Sequence, residues 1–286
     1  MRIDLHTHST CSDGTEPPGQ VVRAAAGAGL DVMALTDHDT AAGWAEADSA
    51  GREAGVAVVP GIEVSCRSRG ASVHVLAYLV DPEVEDFRHE LQLARDSRAE
   101  RLRRMADLLI DDGHLDSYEQ VLEHVPAGAT LGRPHLADAL VAAGRFPDRD
   151  AAFADVLSSR SRYYVGHYAT EPVRAVEVIT GAGGVAVLAH PFAAARGRVV
   201  GDDVIEAMTD AGLAGLEKDH RDHTPRDRAR AAEVAARLGL LTTGSSDYHG
   251  SGKPNRLGEN TTDPAVLAEI LERGTGSRLL GADLRG

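Results

Sequence analysis

Short apolar runs bounded by Gly, Asp or Asn take turns with longer stretches in which apolar residues recur every third or fourth position. The first kind reads as strand, the second as helix. Residues 2–5 read as a strand, 18–29 as a helix ending on glycine, 32–35 as a strand and 41–54 as a helix. Strands at 56–59 and 73–79 follow. The rhythm resumes with a helix at 172–181, a strand at 185–189, a helix at 204–211 and a strand at 215–217. A helix at 226–238, a strand at 240–243 and a last helix at 263–272 complete it. Strand, helix, strand in this order implies parallel βαβ units.

Between these blocks, residues 82–162 carry no convincing strand. The stretch FRHELQLARDSRAERLRRMADLLIDDG is a long amphipathic helix ending on Gly113, and three or four shorter helices follow. This reads as a helical insertion (82–162) in one barrel-like domain built from 1–81 and 163–286, because the alternation on either side is a single sheet resumed.

Composition narrows the picture. A chain of 286 residues can bury a sizeable core, and aromatics make up only 4% of it. Alanine, valine and leucine carry most of the apolar content, which suits helices packed on an aliphatic sheet better than a sandwich. A net charge of −14 argues against binding duplex nucleic acid, which needs Lys and Arg to displace counterions. It does not exclude a small phosphorylated substrate, since bound cations outweigh a global charge locally. Two cysteines, Cys11 and Cys66, supply neither a disulfide framework nor a thiolate zinc site. With no apolar signal core at the N-terminus and no run of membrane-spanning length, a soluble cytoplasmic protein without a membrane partner is expected.

The chemistry sits at the predicted strand ends. His6 and His8 end the first, Asp37, His38 and Asp39 follow the second, and Glu63 follows the third. His74, His190, Asp247 and His249 occupy corresponding places further on. Strand ends of a parallel barrel converge on one face, so these residues would meet in one cleft. Histidines at i and i+2 on a strand share a face and can grip one ion. Imidazole and carboxylate without thiolate suit Zn²⁺, Mn²⁺ or Fe²⁺. A lone His74 would read as a core residue; the set together reads as a metal site.

The motifs H-T-H-S-x-x-S-D-G, T-D-H-D, G-x-E-x-S, H-V-L-A-Y, A-H-P and G-S-D-x-H, in this order, resemble the PHP (polymerase and histidinol phosphatase) family of metal-dependent phosphoesterases. The resemblance runs from Met1 to about Asn260. It implies a distorted (β/α)7 TIM-like barrel with a helical insertion capping the active site, and two to three divalent ions (Mn, Fe or Zn). By resemblance, His6, His8, Glu63 and Asp247 would hold the first ion. Glu63 would bridge to a second completed by His74 and His190, and Asp13, His38 and His249 would hold a third. Asp37 and Asp39 would support these ligands or cap loops. The family's nucleophile is a metal-bridging hydroxide.

Within the insertion, GRPHLADALVAAG is similar to a motif of the branch containing 3′,5′-nucleoside bisphosphate phosphatases, which also act as 5′-to-3′ exoribonucleases. Arg133 and His135 would then bind substrate phosphate. Arg98 and Arg101 either join them or form a solvated face answering Asp96 and Glu100. In GLEKDHRDHTP, Lys218 stands where an apolar strand residue is expected. His220 and His223 would either lie on a surface loop or stand near the cleft mouth, binding substrate or protonating the leaving group. Lys253 and Arg256, in a Gly/Pro/Asn loop, could cap the site. The expected partner is a small phosphorylated substrate, a nucleotide or short oligoribonucleotide. Histidinol phosphate or another sugar or amino-alcohol phosphate is the alternative within the same chemistry. A non-catalytic metal-holding scaffold is the alternative of another class.

Overall fold

The computed structural model describes residues 1–284. Seven strands follow one another in chain order around a nearly closed, barrel-shaped sheet. They are β1 (Ile3–Asp4), β2 (Val32–Leu35), β3 (Ala57–Ser68), β4 (Ala71–Tyr78), β5 (Val185–Leu188), β6 (Gly215–Asp219) and β7 (Leu241–Gly244). A short β8 (Leu280–Gly281) pairs with the start of β3. Helices α1 (Pro18–Gly27) and α2 (Trp44–Ala54) link β1 to β2 and β2 to β3. Between β4 and β5 lie α3 (Glu85–Asp111), α4 (Tyr118–Leu122), α5 (Arg133–Ala142), α6 (Arg149–Ala154) and α7 (Pro172–Gly181). Then α8 (Asp202–Asp210), α9 (Pro225–Leu238) and α10 (Pro264–Arg273) follow β5, β6 and β7.

The parallel reading holds for β1–β2, β2–β3, β5–β6 and β6–β7. It fails in the middle. Strands β3 and β4 form a long antiparallel hairpin, and β4 is antiparallel to β5 as well. Arg69 and Gly70, both at positive φ, reverse the chain at once, whereas a parallel crossover needs a dozen or more residues. Pro60 and Gly61 end the expected strand in the sequence but not in the fold. They mark the place where β3 leaves its partner β2 and takes up β4.

Alternation along the strands sorts side chains between two sides of the sheet. Val32, Ala34, Val59, Leu76, Tyr78, Val185 and Val187 fill the interior together with Ile3, Leu5 and, from α10, Leu267 and Ile270. Their neighbours point the other way. Met33, Leu35 and Val58 meet Val21, Val22 and Ala47 of α1 and α2, while Ile62, Val64, Val75 and Leu188 meet α7, α8 and α9. Helices α3 to α6 share a separate core of Leu102, Met105, Leu109, Val121, Leu136, Leu140 and Ala152.

The first and last strands are joined lightly. A single parallel bridge connects Thr7 to Tyr248, with the His8 amide donating to the Tyr248 carbonyl at 2.8 Å. Asp4 adds side-chain bonds, accepting from the amides of Ser246 (3.0 Å) and Gly258 (2.8 Å). No helix of the described residues is long and apolar enough to cross a membrane.

Candidate metal centre and anion pocket

The row of side chains that fills the barrel continues into the site. Glu63 follows Val59 on one face of β3, His74 precedes Leu76 and Tyr78 on β4, and Glu217 follows Gly215 on β6. Toward one end of the barrel the inward row therefore turns from aliphatic to polar. Glu63 and His74 lie inside the hairpin rather than at strand ends, a consequence of its antiparallel course.

Four ligand atoms come together first. His6 Nε2 lies 3.0 Å from His8 Nε2, 3.3 Å from Glu63 Oε2 and 3.4 Å from Asp247 Oδ1. His8 Nε2 lies 3.1 Å from the same Glu63 oxygen and 3.3 Å from the same Asp247 oxygen. Edges of this length fit a tetrahedron whose centre is about 2 Å from each corner, the normal distance for a nitrogen or oxygen ligand to zinc. The other oxygen of Glu63 faces His74 Nδ1 at 2.7 Å and His190 Nε2 at 3.3 Å. Beside His8, Asp13 Oδ1 lies 3.2 Å from His249 Nε2 and Asp13 Oδ2 lies 3.9 Å from His38 Nε2. Buried Nδ1 atoms of His38 and His74 and Nε2 of His249 lack any hydrogen-bond partner. Orphaned buried nitrogens beside carboxylates are what a cation site requires. The donor set therefore fits divalent metal ions.

Local backbone delivers these groups. Between His8 and Gly14 the chain folds back, with the amides of Ser12 and Gly14 donating to the Ser9 carbonyl. A Cβ at Gly14 would lie within 2.9 Å of three backbone atoms of His8 and Ser9, so only glycine closes this loop. Asp37 locks it by accepting from the Ser9 amide (2.8 Å) and the hydroxyls of Ser9 and Ser12 (both 2.6 Å). Asp39 accepts from the Ser65 amide (2.8 Å) and hydroxyl (2.7 Å) and pairs with Arg98 Nε at 2.9 Å. Asp39, His190 and Asp247 all adopt positive φ, a strained state for non-glycine residues that their surroundings must enforce.

Burial would raise the pKa of Asp13, Glu63 and Asp247, yet all three are held well below the usual carboxylate range. For Asp13 and Glu63 the surrounding imidazoles do this; for Asp247, Lys253 and Arg196 lead. His190 and His249 are pushed down to about 3 and about 4, chiefly by burial, and so are neutral imidazoles. Burial opposes charge on His6 and His8 too, but adjacent carboxylates outweigh it. His8 rises to about 9 and His6 well above its ordinary value.

A second cluster adjoins the first. Arg67 continues the inward row of β3 beyond Glu63 and Ser65, and its Nη2 donates to the Tyr164 hydroxyl at 3.0 Å. Arg98 and Arg101 on α3 are 8% and 5% exposed, so the solvated-face reading of these two is corrected: the helix turns them inward against the barrel. Arg101 Nη1 lies 3.0 Å from His167 Nδ1, and its Nε is buried without a partner. Arg133 donates to the Leu157 carbonyl at 2.8 Å and stacks near Phe153 and Tyr164. Among the described residues no carboxylate pairs with Arg67, Arg101 or Arg133. Burial and the neighbouring guanidiniums lower Arg101 to about 9 and His167 to about 2.

The remaining candidates separate. His135 is buried, its Nδ1 accepting from the Gly132 amide at 3.1 Å to cap α5. His220 and His223 are both buried, which corrects the surface-loop reading. His223 commits both ring nitrogens to backbone, donating to the Lys218 carbonyl (2.9 Å) and accepting from the Phe192 amide (3.2 Å). That leaves it no free proton. His220 Nδ1 accepts from the Asp222 amide at 3.0 Å, so its proton is on Nε2, which has no hydrogen-bond partner and lies 3.7 Å from Asp247 Oδ2. Lys218 stands at a register shift between Glu217 and Asp219, where β6 bulges against β7, so the strand tolerates a half-exposed lysine there. Lys253 reaches Asp247 Oδ2 at 3.0 Å, whereas Arg256 lies out in solvent.

Four further positions of the candidate site emerge only in three dimensions. Glu217 accepts from the His190 amide (2.7 Å), pairs with His6 Nδ1 (3.0 Å) and accepts from the Ser245 hydroxyl. Arg196 pairs with Asp247 and Asp222. Arg67 and His167 complete the arginine cluster. Glu217 had the signal of a carboxylate at a strand end; the others lie in a hairpin arm and loops whose approach no pattern announces.

The PHP domain pattern matches residues 4–138. The chain is 36% identical over 258 residues to the phosphoribosyl 1,2-cyclic phosphate 1,2-diphosphodiesterase of Eggerthella lenta, covering 87% of this chain and 95% of that protein. It is 32% identical to the 3′,5′-nucleoside bisphosphate phosphatase of Chromobacterium violaceum, covering 97% and 98%. The crystal structure of a Bifidobacterium adolescentis protein assigned as a metal-dependent phosphoesterase superposes with a TM-score of 0.93 at 43% identity, covering 96% of both chains.

Proposed function

The chain belongs to the PHP family of metal-dependent phosphoesterases, and on that premise we propose that it removes phosphate from a small nucleotide bearing more than one anionic group. A 3′,5′-nucleoside bisphosphate or the 5′ end of a short oligoribonucleotide has that character. The observation that carries the reading is the arginine cluster without carboxylates beside the imidazole–carboxylate cluster. Guanidiniums clustered without carboxylates repel one another, and a bound phosphate relieves that repulsion while accepting forked hydrogen bonds.

His6, His8, Glu63 and Asp247 would hold one ion, Glu63 with His74 and His190 a second, and Asp13, His38 and His249 a third. Manganese, iron or zinc suits these donors. Bound there, the ions supply a water of lowered pKa and a field that neutralises phosphate oxygens. The chain's own residues do the rest. Glu217 orients His6 from behind through Nδ1, fixing which nitrogen faces the site. Arg101, Arg133 and Arg67 bind substrate anions, while His167, kept neutral, accepts a hydrogen bond from Arg101 and holds its fork in place. His135 shapes the first turn of α5, and Lys253 supplies a further cation at the mouth. His220, neutral with its proton on Nε2, donates a hydrogen bond to the leaving oxygen as charge develops there. Residues 82–162 form the cap that brings Arg101 and Arg133 over the cleft beside Arg67 of β3 and keeps water out.

The test is a phosphate-release screen with Mn²⁺-loaded protein over nucleoside bisphosphates, short RNA, cyclic phosphates, histidinol phosphate and an aryl phosphate. Bisphosphates or RNA ends should give the highest kcat/KM. Release from monophosphates alone would remove the second-anion reading, and no release from any compound would leave only a scaffold.

A further inference from the structure

The insertion grips the barrel at the loops that carry one ligand group. Arg149, the first residue of α6, holds Asp138 of α5 in a two-pronged ion pair, with Nε–Oδ1 and Nη2–Oδ2 both 2.6 Å. Its remaining nitrogen, Nη1, donates to the backbone carbonyl of Asp13 at 3.2 Å. Gly252, three positions after His249, lies against the same nitrogen, and a Cβ there would come within 2.3 Å of it. Nearby, the Thr130 amide donates to the Cys11 carbonyl at 2.9 Å. On the opposite flank, Arg95 of α3 donates to the carbonyl of Asp39, the residue after His38, at 2.6 Å. Each of Asp13, His38 and His249 therefore has an insertion residue seated on its own or a closely following backbone segment.

We propose that Arg149 is a positioning residue: it joins α5, whose first turn carries Arg133 and His135, to the Asp13 loop. In doing so it couples cation binding by Asp13, His38 and His249 to substrate binding by the insertion. The inference rests on the reading of those three residues as one ligand group. Only a guanidinium makes all three contacts at once, because its planar fork spends two nitrogens on Asp138 and keeps one for the carbonyl. With its side chain 16% exposed, Arg149 is held rigidly enough to transmit position. Loss of the fork frees the Asp13 carbonyl and lets the loop swing away from His249.

The experiment counts Mn²⁺ by equilibrium dialysis and electron paramagnetic resonance in wild type, Arg149→Gln, Arg149→Lys, Asp138→Asn and Asp13→Ala, alongside KM and kcat. Arg149→Gln should weaken one class of cation site by about 10- to 100-fold, the range for groups that orient ligands. KM should rise in parallel. Lysine should restore only part of this, and Asp138→Asn, nearly the same in shape, should reproduce the loss even if Arg149→Gln folds poorly. Asp13→Ala should lose that cation class outright. Full cation binding and unchanged KM in both Arg149→Gln and Asp138→Asn, with the class lost in Asp13→Ala, would overturn the positioning role alone. A full complement in Asp13→Ala would overturn the ligand group and the inference with it.

Discussion

Arg101 is a buried cation whose neighbours are mostly other cations. Replacing it with methionine removes mutual repulsion and keeps much of the packing. Melting of the substrate-free protein should rise or stay level while KM increases about tenfold, the signature of lost ground-state binding. A fall in melting temperature with unchanged KM would mean the arginine serves the fold instead. Glu217→Gln should weaken metal affinity by about 10- to 100-fold in a chelator competition, because His6 loses the charged partner on its far nitrogen. His167 gives the pH dependence. Folded, it refuses a proton until about pH 2; unfolded, its imidazole takes one near 6.5. Its contribution to stability is thus present above the unfolded pKa and is lost as pH falls below it. Urea titrations from pH 7 to 4 should show a shallower decline for His167→Gln than for wild type. At this scale the clustering of imidazoles and carboxylates was legible because most of them follow strand ends, whereas Glu63 and His74 lie within the hairpin. Arg67 and His167 were not, since nothing in a linear pattern says that a hairpin arm will meet α3.

The elements themselves were largely readable from periodicity, down to β2, whose expected and observed limits coincide. The hairpin was not. Its sequence alternates as any half-buried strand does, and only the abrupt turn at Arg69–Gly70 fixes the antiparallel course. That course matters chemically, for it places Glu63 and His74 side by side along the barrel wall. The loop between His8 and Gly14 is equally exacting: Gly14→Ala forces backbone atoms apart and should cut kcat more than it lowers stability, since Asp13 moves with it. By contrast, Thr224 caps α9 through a side chain bonded to Asp227, accepting from its amide at 3.2 Å. Thr224→Ala should cost about 1 kcal/mol in urea titration and leave kcat/KM unchanged.

For the whole molecule, a net charge of −14 makes cation binding a matter of stability as well as chemistry. Ions held by the native chain alone raise its stability by mass action, about 2.7 kcal/mol at a hundred times Kd. Exhaustive chelation should therefore lower the melting temperature, and re-addition of Mn²⁺ should restore it; no shift would speak against native-state ion binding.

The light seam between the first and last strands has a consequence for how the protein is made. His6 and His8 leave the ribosome about 240 residues ahead of Asp247 and His249. At about 5–20 residues per second, the early histidines wait on the order of ten seconds or more for their partners. During that interval the nascent chain cannot assemble the four-atom group. The group closes only when Tyr248 reaches Thr7 and the barrel shuts.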